Sequence, residues 1–382
     1  MTATPIVLAA ERVFDGSRFL PNHAVEITGN VISDLRPATD SEALLAGTIA
    51  PAFLDLQVNG GGGVLIDGAT DVEALRQVCA AHLRLGSAGV LPTLITDTAE
   101  ATAQVIASGI AAVRAGVPGF LGLHLEGPHL DPRRKGAHDP KLIRPMQAED
   151  LARLCDAARA LPALMVTLAP ESASPEQIAA LSAAGAVVSL GHTDCSFEVA
   201  QAAMAAGARC ATHLFNAMSQ IANRAPGLAG AVLSSDCAAG LIADGIHVHP
   251  AVMRLALAAR PEGIFLVTDC MAFAGTDQTE MLLNGRMVLR RDGRLTLDDG
   301  TLAGADLTLS QAIGHLVREV GIAPERALRM ASAEPARVIG QADRFGQIAI
   351  GRRADLVWLA GDWTLQGVWH DGRAANEPAL FS

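Results

Sequence analysis

Gly119-Phe-Leu-Gly-Leu-His-Leu-Glu-Gly-Pro-His129 is an apolar run that ends at Glu126 and is broken at once by Gly127 and Pro128. A continuous apolar run closed by breakers suits a strand buried on both faces. Glu126 then stands at the carboxyl end of that strand. In a parallel α/β protein this is the end where chemistry is done, because rigid strands meet there the loops that form the pocket. One carboxylate at a turn carries little weight alone; the recurrence of the pattern along the chain supplies it.

Further apolar runs lie at 52–56, 90–95, 164–168, 186–190, 210–214, 241–243 and 264–267, which with 120–125 makes eight. Ala-rich segments of helical period separate most of them, for example 71–85, 100–115, 149–160, 175–183 and 197–206. Strand and helix in alternation mean βαβ units, and eight of them favour a (β/α)8 TIM-type barrel over an open doubly wound sheet. Pro92 inside the second run requires a bulge or a strand start. Residues 4–50 and the last forty read instead as short β-rich runs with Gly and Asp turns, so a small β-sandwich domain built from both termini (1–50 and 343–382) should accompany a barrel at 51–342. Within the barrel, Asn284-Gly285 and Asp292-Gly293 are hairpin signals and mark a β insertion at about 281–297, after which helices resume at 306–320 and 324–331.

The 382 residues are 50% hydrophobic and 18% charged, the composition of a compact globular chain. A formal net charge of −11 argues against nucleic acid and against anionic membrane surfaces, while leaving room for a small anionic substrate met by a few local cations. The six cysteines form no CxxC pair, no apolar run reaches the roughly 20 residues a membrane helix needs, and the start of the chain lacks a signal-like core. The expected location is the reducing cytoplasm. Cys195 and Cys270 lie near candidate site residues, though a buried packing role suits them better than thiolate ligation.

The residues that close the strands carry the chemistry. Gln57 and Asn59 follow the first run, Glu126 the third and His192 the fifth, His213 lies within the sixth, and Asp269 follows the eighth. Two imidazoles and a carboxylate make a site for a divalent transition metal with a position left open for water. Asp269, in Leu266-Val-Thr-Asp-Cys270, is the natural general base for that water. His82, His124, His129 and His315 read as structural, and His249 as solvent-facing.

His-Leu-Glu-Gly-Pro-His (124–129), Lys-Gly-Ala-His (135–138), Leu-Gly-His-Thr (190–193), Thr-His-Leu-Phe-Asn-Ala-Met (212–218), Pro-Gly-Leu-Ala-Gly (226–230), Ala-Asp-Gly-Ile-His (243–247), Val-Thr-Asp (267–269) and Thr-Leu-Ala-Gly (301–304) together resemble the N-acetylglucosamine-6-phosphate deacetylases of the amidohydrolase superfamily. The resemblance spans nearly the whole chain. It implies a cytoplasmic, zinc-dependent hydrolase of amino sugar metabolism that releases acetate from N-acetyl-D-glucosamine 6-phosphate. Under it, Glu126, His192 and His213 are metal ligands, Asp269 is catalytic base and acid, and His138 polarises the amide carbonyl. It also implies substrate contacts from Ala137, His138, Asn216, Ala217, Arg224, Asp244, Gly245, Ile246, His247, Leu302, Ala303 and Gly304. Arg224 would reach the phosphate in the neighbouring subunit of a homodimer, a role that suits a planar guanidinium in an acidic chain.

Many amidohydrolases carry His-x-His after the first strand and bind two metals, whereas this chain has Gln57-Val-Asn59. Amides are poor transition-metal ligands, so one divalent metal per chain is expected, zinc first with iron or cobalt open, beside a vacant second site at Gln57 and Asn59. The alternatives are another amidohydrolase, either an N-acyl amino acid deacylase or a cyclic amidase, and a non-catalytic amidohydrolase-like binding scaffold. Arg224 with His247 separates the first of these from a sugar-phosphate deacetylase, because a phosphate pocket is useless without phosphate.

Overall fold

The eight apolar runs become eight parallel strands paired in sequence order: Phe53–Val58, Ser87–Ile95, Leu123–Glu126, Leu164–Leu168, Val187–Leu190, Cys210–Ala211, Ala238–Leu241 and Ile264–Leu266. The ring is closed beyond the last ladder. Asp269 donates its N–H to the Gln57 carbonyl at 3.0 Å, and Asn59 donates to the Cys270 carbonyl at 2.9 Å. These positions come from a computed structural model that describes residues 5–283 and 285–375. Asn284 of the expected hairpin turn and the ends 1–4 and 376–382 lie outside the described residues.

Pro92 sits within the second barrel strand, opposite Val58, where the register slips between Asp55 and Val58. The irregularity is what admits a residue without an N–H. The crossover helices start where the sequence offers a side-chain oxygen to their free N–H groups: Asp71 caps Val72–Arg84, Thr98 caps Ala99–Arg114, Ser174 caps Pro175–Ala183 and Ser196 caps Phe197–Ala205. Two local expectations are corrected. The sixth strand is only two residues long, so His213 lies beyond it rather than within it, at a φ of 28°. The stretch Ala217 to Gly230 between the sixth and seventh strands, which its sequence leads one to expect as a long non-helical loop, enters the helix Gly227–Leu233.

The insertion is larger than its turn signals suggest. Four antiparallel strands, Glu280–Leu283, Arg286–Arg291, Arg294–Leu297 and Leu302–Ala305, pack Leu283, Val288, Leu295 and Leu297 on Met271 and Phe273. Ala305 donates to the Asp269 carbonyl at 2.9 Å, which ties the insertion to the end of the eighth strand. The terminal segments share one seven-stranded sheet, in which Leu356–Leu359 pairs with Leu45–Pro51. Its own apolar core includes Val25, Ile27, Ile49, Leu356, Trp358 and Trp369. No helix among the described residues is long and apolar enough to cross a membrane.

The third barrel strand begins at a point of close approach. Gly122 has a φ of 138°, and a Cβ there would lie 1.9 Å from the Ala163 carbonyl oxygen, which also accepts the Leu123 N–H at 3.1 Å. Gly122→Ala should therefore lower stability by roughly 1–3 kcal/mol, seen as a lower denaturation midpoint. Gly116→Ala is the control, since Gly116 shares a positive φ, 60°, but has open space around it. Equal midpoints for the two variants would show that the close approach does not matter.

Candidate active site and metal centre

The carboxyl ends of the third, fifth and sixth barrel strands deliver three side chains to one point. Glu126 Oε1 is 3.1 Å from His192 Nε2 and 3.0 Å from His213 Nε2, and the two nitrogens are 3.1 Å apart. Among the described residues, this is the group of potential ligand atoms close enough together to hold an ion. Ligands at ~2.0–2.1 Å from a tetrahedral zinc ion stand about 3.3 Å from one another, so the spacing fits.

The tautomer of His192 fits as well. His192 Nδ1 donates to the Arg134 carbonyl at 2.8 Å, leaving Nε2 as a lone pair aimed at Glu126. The electrostatics call for positive charge at the centre. Burial opposes the charge on Glu126, yet His192 and His213 hold its carboxyl well below the usual range. Burial likewise opposes a proton on His213, and the Glu126 carboxylate overrides it, raising the imidazole above its ordinary value.

Asp269 faces the triad from the eighth strand. Burial, reinforced by the negative charge of Glu126, pushes its carboxyl up to about 6. Its Oδ1 accepts the side-chain amides of Asn59 at 2.7 Å and Gln57 at 3.2 Å. Gln57 also donates to both oxygens of Glu126, at 3.3 Å each. The two amides that replace imidazoles are thus turned as donors toward carboxylates, which is what a side chain without a basic lone pair does best.

His138 comes from the loop after the third strand and is buried. The Thr96 N–H donates to its Nδ1 at 3.2 Å, so Nδ1 is an acceptor and the ring proton sits on Nε2, 4.0 Å from Glu126 Oε2. Burial, together with the nearby His192, holds this imidazole down at about 3. It is a neutral N–H donor pointed at the cavity. Arg286 from the insertion donates to the Ala137 carbonyl and so steadies the same loop.

A cavity of about 250 Å³ opens above these groups. Its walls include Asn59, Glu126, Ala137, His138, His192, His213, Asn216, Ala217, His247, Asp269, Leu302, Ala303 and Gly304, each expected from the sequence. Ile95, Gly136, Ile242, Met271, Leu283 and Thr301 complete it and were not anticipated. Asp244, Gly245 and Ile246 are outside the lining; they form the turn that presents His247. The Asp244 carboxylate accepts the Ile246 and His247 N–H groups at 2.8 Å each and His247 Nδ1 at 2.6 Å. Arg224 is exposed and lines no cavity described for its own chain. Cys195 and Cys270 stay out of the ligand group, and burial pushes the Cys195 thiol up to about 11. His249 is exposed and caps the helix Pro250–Ala259.

The sequence pattern of the amidohydrolase family matches residues 48–375. The chain belongs to that family. It is therefore a metal-dependent hydrolase. It is 38% identical over 360 residues to an N-acetylgalactosamine-6-phosphate deacetylase of Shewanella sp. (strain ANA-3), covering 91% of this chain and 90% of the relative. It is 33% identical over 363 residues to the N-acetylglucosamine-6-phosphate deacetylase of Haemophilus influenzae, covering 93% and 95%. In three dimensions it is similar to a variant of the Mycobacterium smegmatis N-acetyl-D-glucosamine-6-phosphate deacetylase solved in complex with N-acetyl-D-glucosamine-6-phosphate. The TM-score is 0.90 and the identity 32%, covering 98% of this chain and 100% of that one.

If the triad holds the ion, His192→Ala and His213→Ala should each lose most of their metal on purification, while His249→Ala keeps it. Elemental analysis makes the comparison. Full metal in either ligand variant would move the centre elsewhere.

Proposed function

We propose that this chain removes the N-acetyl group of N-acetyl-D-glucosamine 6-phosphate, giving D-glucosamine 6-phosphate and acetate. The observation that carries this reading is the meeting, in one cavity, of a Glu/His/His triad, a carboxyl poised near 6 and a neutral imidazole donor, in a chain whose relatives are named for this reaction. The galactosamine epimer is a second candidate substrate, favoured by the name of the relative that is 38% identical.

In this reading Glu126, His192 and His213 hold one divalent ion, zinc, and Gln57 and Asn59 leave the second site vacant. When bound, the ion supplies Lewis-acid polarisation that brings the acidity of water into the neutral range. Asp269 accepts the proton as the water oxygen attacks the amide carbon, and later delivers it to the sugar nitrogen as the C–N bond breaks. His138 donates its Nε2–H to the carbonyl oxygen, where negative charge develops. The apolar wall of Ile95, Met271 and Leu283 excludes bulk water around these groups.

Asp269→Asn keeps the size and loses the base, so turnover should fall by orders of magnitude with metal content near one equivalent. An active Asn variant, or two tightly held ions per chain, would overturn the assignment. Acetate release should be measured on both epimers, phosphorylated and unphosphorylated.

The phosphate falls to Arg224, supplied by the second subunit of a homodimer. Its exposed position on the loop before helix Gly227–Leu233 supports such a reach. A charge-assisted bond lost on truncation costs roughly 1.5–3 kcal/mol, so Arg224→Ala should raise KM for the 6-phosphate by about one to two orders of magnitude. Activity on the unphosphorylated sugar should barely change. Mixing Arg224→Ala with Asp269→Asn protein under subunit exchange then gives one doubly damaged and one intact site per mixed dimer if the arginine is shared. High-affinity activity should reappear; its absence, with exchange verified, would assign each arginine to its own chain.

A further inference from the structure

Strand alternation turns Asp55, Gln57 and, just past the strand end, Asn59 to the same side. The upper two hold the Asp269 carboxylate from the side, at 3.2 and 2.7 Å. Asp55, one rung below, is completely buried and pairs with no cation among the described residues. Its Oδ2 accepts the Thr268 hydroxyl at 2.6 Å, and both of its oxygens face the Thr268 N–H, at 3.2 and 3.3 Å. The remaining bond is to the Gln57 N–H at 3.3 Å.

Burying a carboxyl group without a cation is costly, and its contacts show what the group is for. Thr268 immediately precedes Asp269. Asp269 has a φ of 51°, a conformation that persists only where the surroundings over-determine it. Its N–H is held by the Gln57 carbonyl and its carbonyl by the Ala305 N–H, as described above. The N–H and hydroxyl of Thr268, just ahead of it, are both held by Asp55, and that hydroxyl in turn accepts the Cys270 N–H at 3.3 Å. We infer that Asp55 and Thr268 are a positioning pair: they fix the backbone that aims Asp269 over the Glu126/His192/His213 triad, without touching substrate or ion. The inference rests on the reading of Asp269 as the proton carrier.

The test compares Thr268→Val, which keeps the shape and loses the hydroxyl, with Thr268→Ser, which keeps the hydroxyl. Misplacing a reacting group by an ångström can cost about a hundredfold. Thr268→Val should therefore lose about ten- to a hundredfold in kcat, with KM and metal content near wild type, because the ligands sit on other strands. Thr268→Ser should restore kcat to within about threefold. If Thr268→Val does not accumulate as folded protein, Asp55→Asn/Thr268→Val removes the hydroxyl and the carboxylate it pairs with while leaving an amide oxygen for the Thr268 and Gln57 N–H groups. That pair should show the same loss in kcat. Wild-type kcat in Thr268→Val or in the double variant overturns the inference, as does a loss that follows metal content rather than kcat. Asp269→Asn run alongside separates the two claims: if it is inactive while Thr268→Val is normal, only the positioning pair fails, and if it is active, the base assignment itself fails.

Discussion

Glu126 and Asp269 put two carboxyl groups on one buried cavity, and the site is built around making that negative charge tolerable. Gln57 donates to both, Asn59 to Asp269, and the imidazoles of His192 and His213 converge on Glu126. These partners are not equivalent in effect. Glu126, which faces two imidazoles, is held ionised, while Asp269, with only neutral amides as direct partners and Glu126 nearby, is pushed up to about 6. The pair of carboxyl groups is thereby split into one held ionised and one able to exchange a proton near neutral pH.

That division needs backbone strain, and the barrel bears it. Nine described non-glycine residues have positive φ, and five of them, His192, His213, Phe215, Ala217 and Asp269, belong to the loops around the cavity. Past the fifth, sixth and eighth strands the chain turns through left-handed positions at His192, His213 and Asp269, which aim those side chains inward. The turns are pinned to neighbouring strands and loops: Asp131 donates to the His192 carbonyl at 2.8 Å, and Leu214 to that of Gly240 at 2.7 Å. A single strained residue costs on the order of 1–3 kcal/mol, which isolated loops could not hold but a closed ring of strands can.

The same geometry explains what was legible in the sequence. Apolar runs with a polar residue at their end are local signals, so the eight strands and Glu126, His192, His213 and Asp269 could be read directly; the strand Leu164–Leu168 and the helix Pro175–Ala183 have the expected limits. Positive-φ turns leave no such mark, which is why His213 was assigned to a strand that stops at Ala211. The helix Gly227–Leu233 was hidden because Pro226-Gly227 reads as a breaker, although Pro can begin a helix as well as end one. The wall residues Ile95, Met271 and Leu283 look like any core residue, and the contacts of Thr96 with His138 and of Arg286 with Ala137 join positions far apart in the chain.

Three imidazoles crowd the cavity floor, with the His138 and His192 rings 4.3 Å apart and those of His192 and His213 4.9 Å apart. They cannot all be charged, and their partners divide the roles. The Arg134 carbonyl takes the Nδ1 proton of His192, so its Nε2 is free to ligate; the Thr96 N–H occupies Nδ1 of His138, so its Nε2 carries a proton and cannot ligate. Two residues with the same side chain thereby differ, through one backbone group each, in whether Nε2 offers a lone pair or a proton. No Lys or Arg joins them among the lining residues, and Arg286 is engaged at Ala137. The lining of this cavity thus brings imidazoles, carboxyl groups and amides together and leaves guanidinium and ammonium groups out.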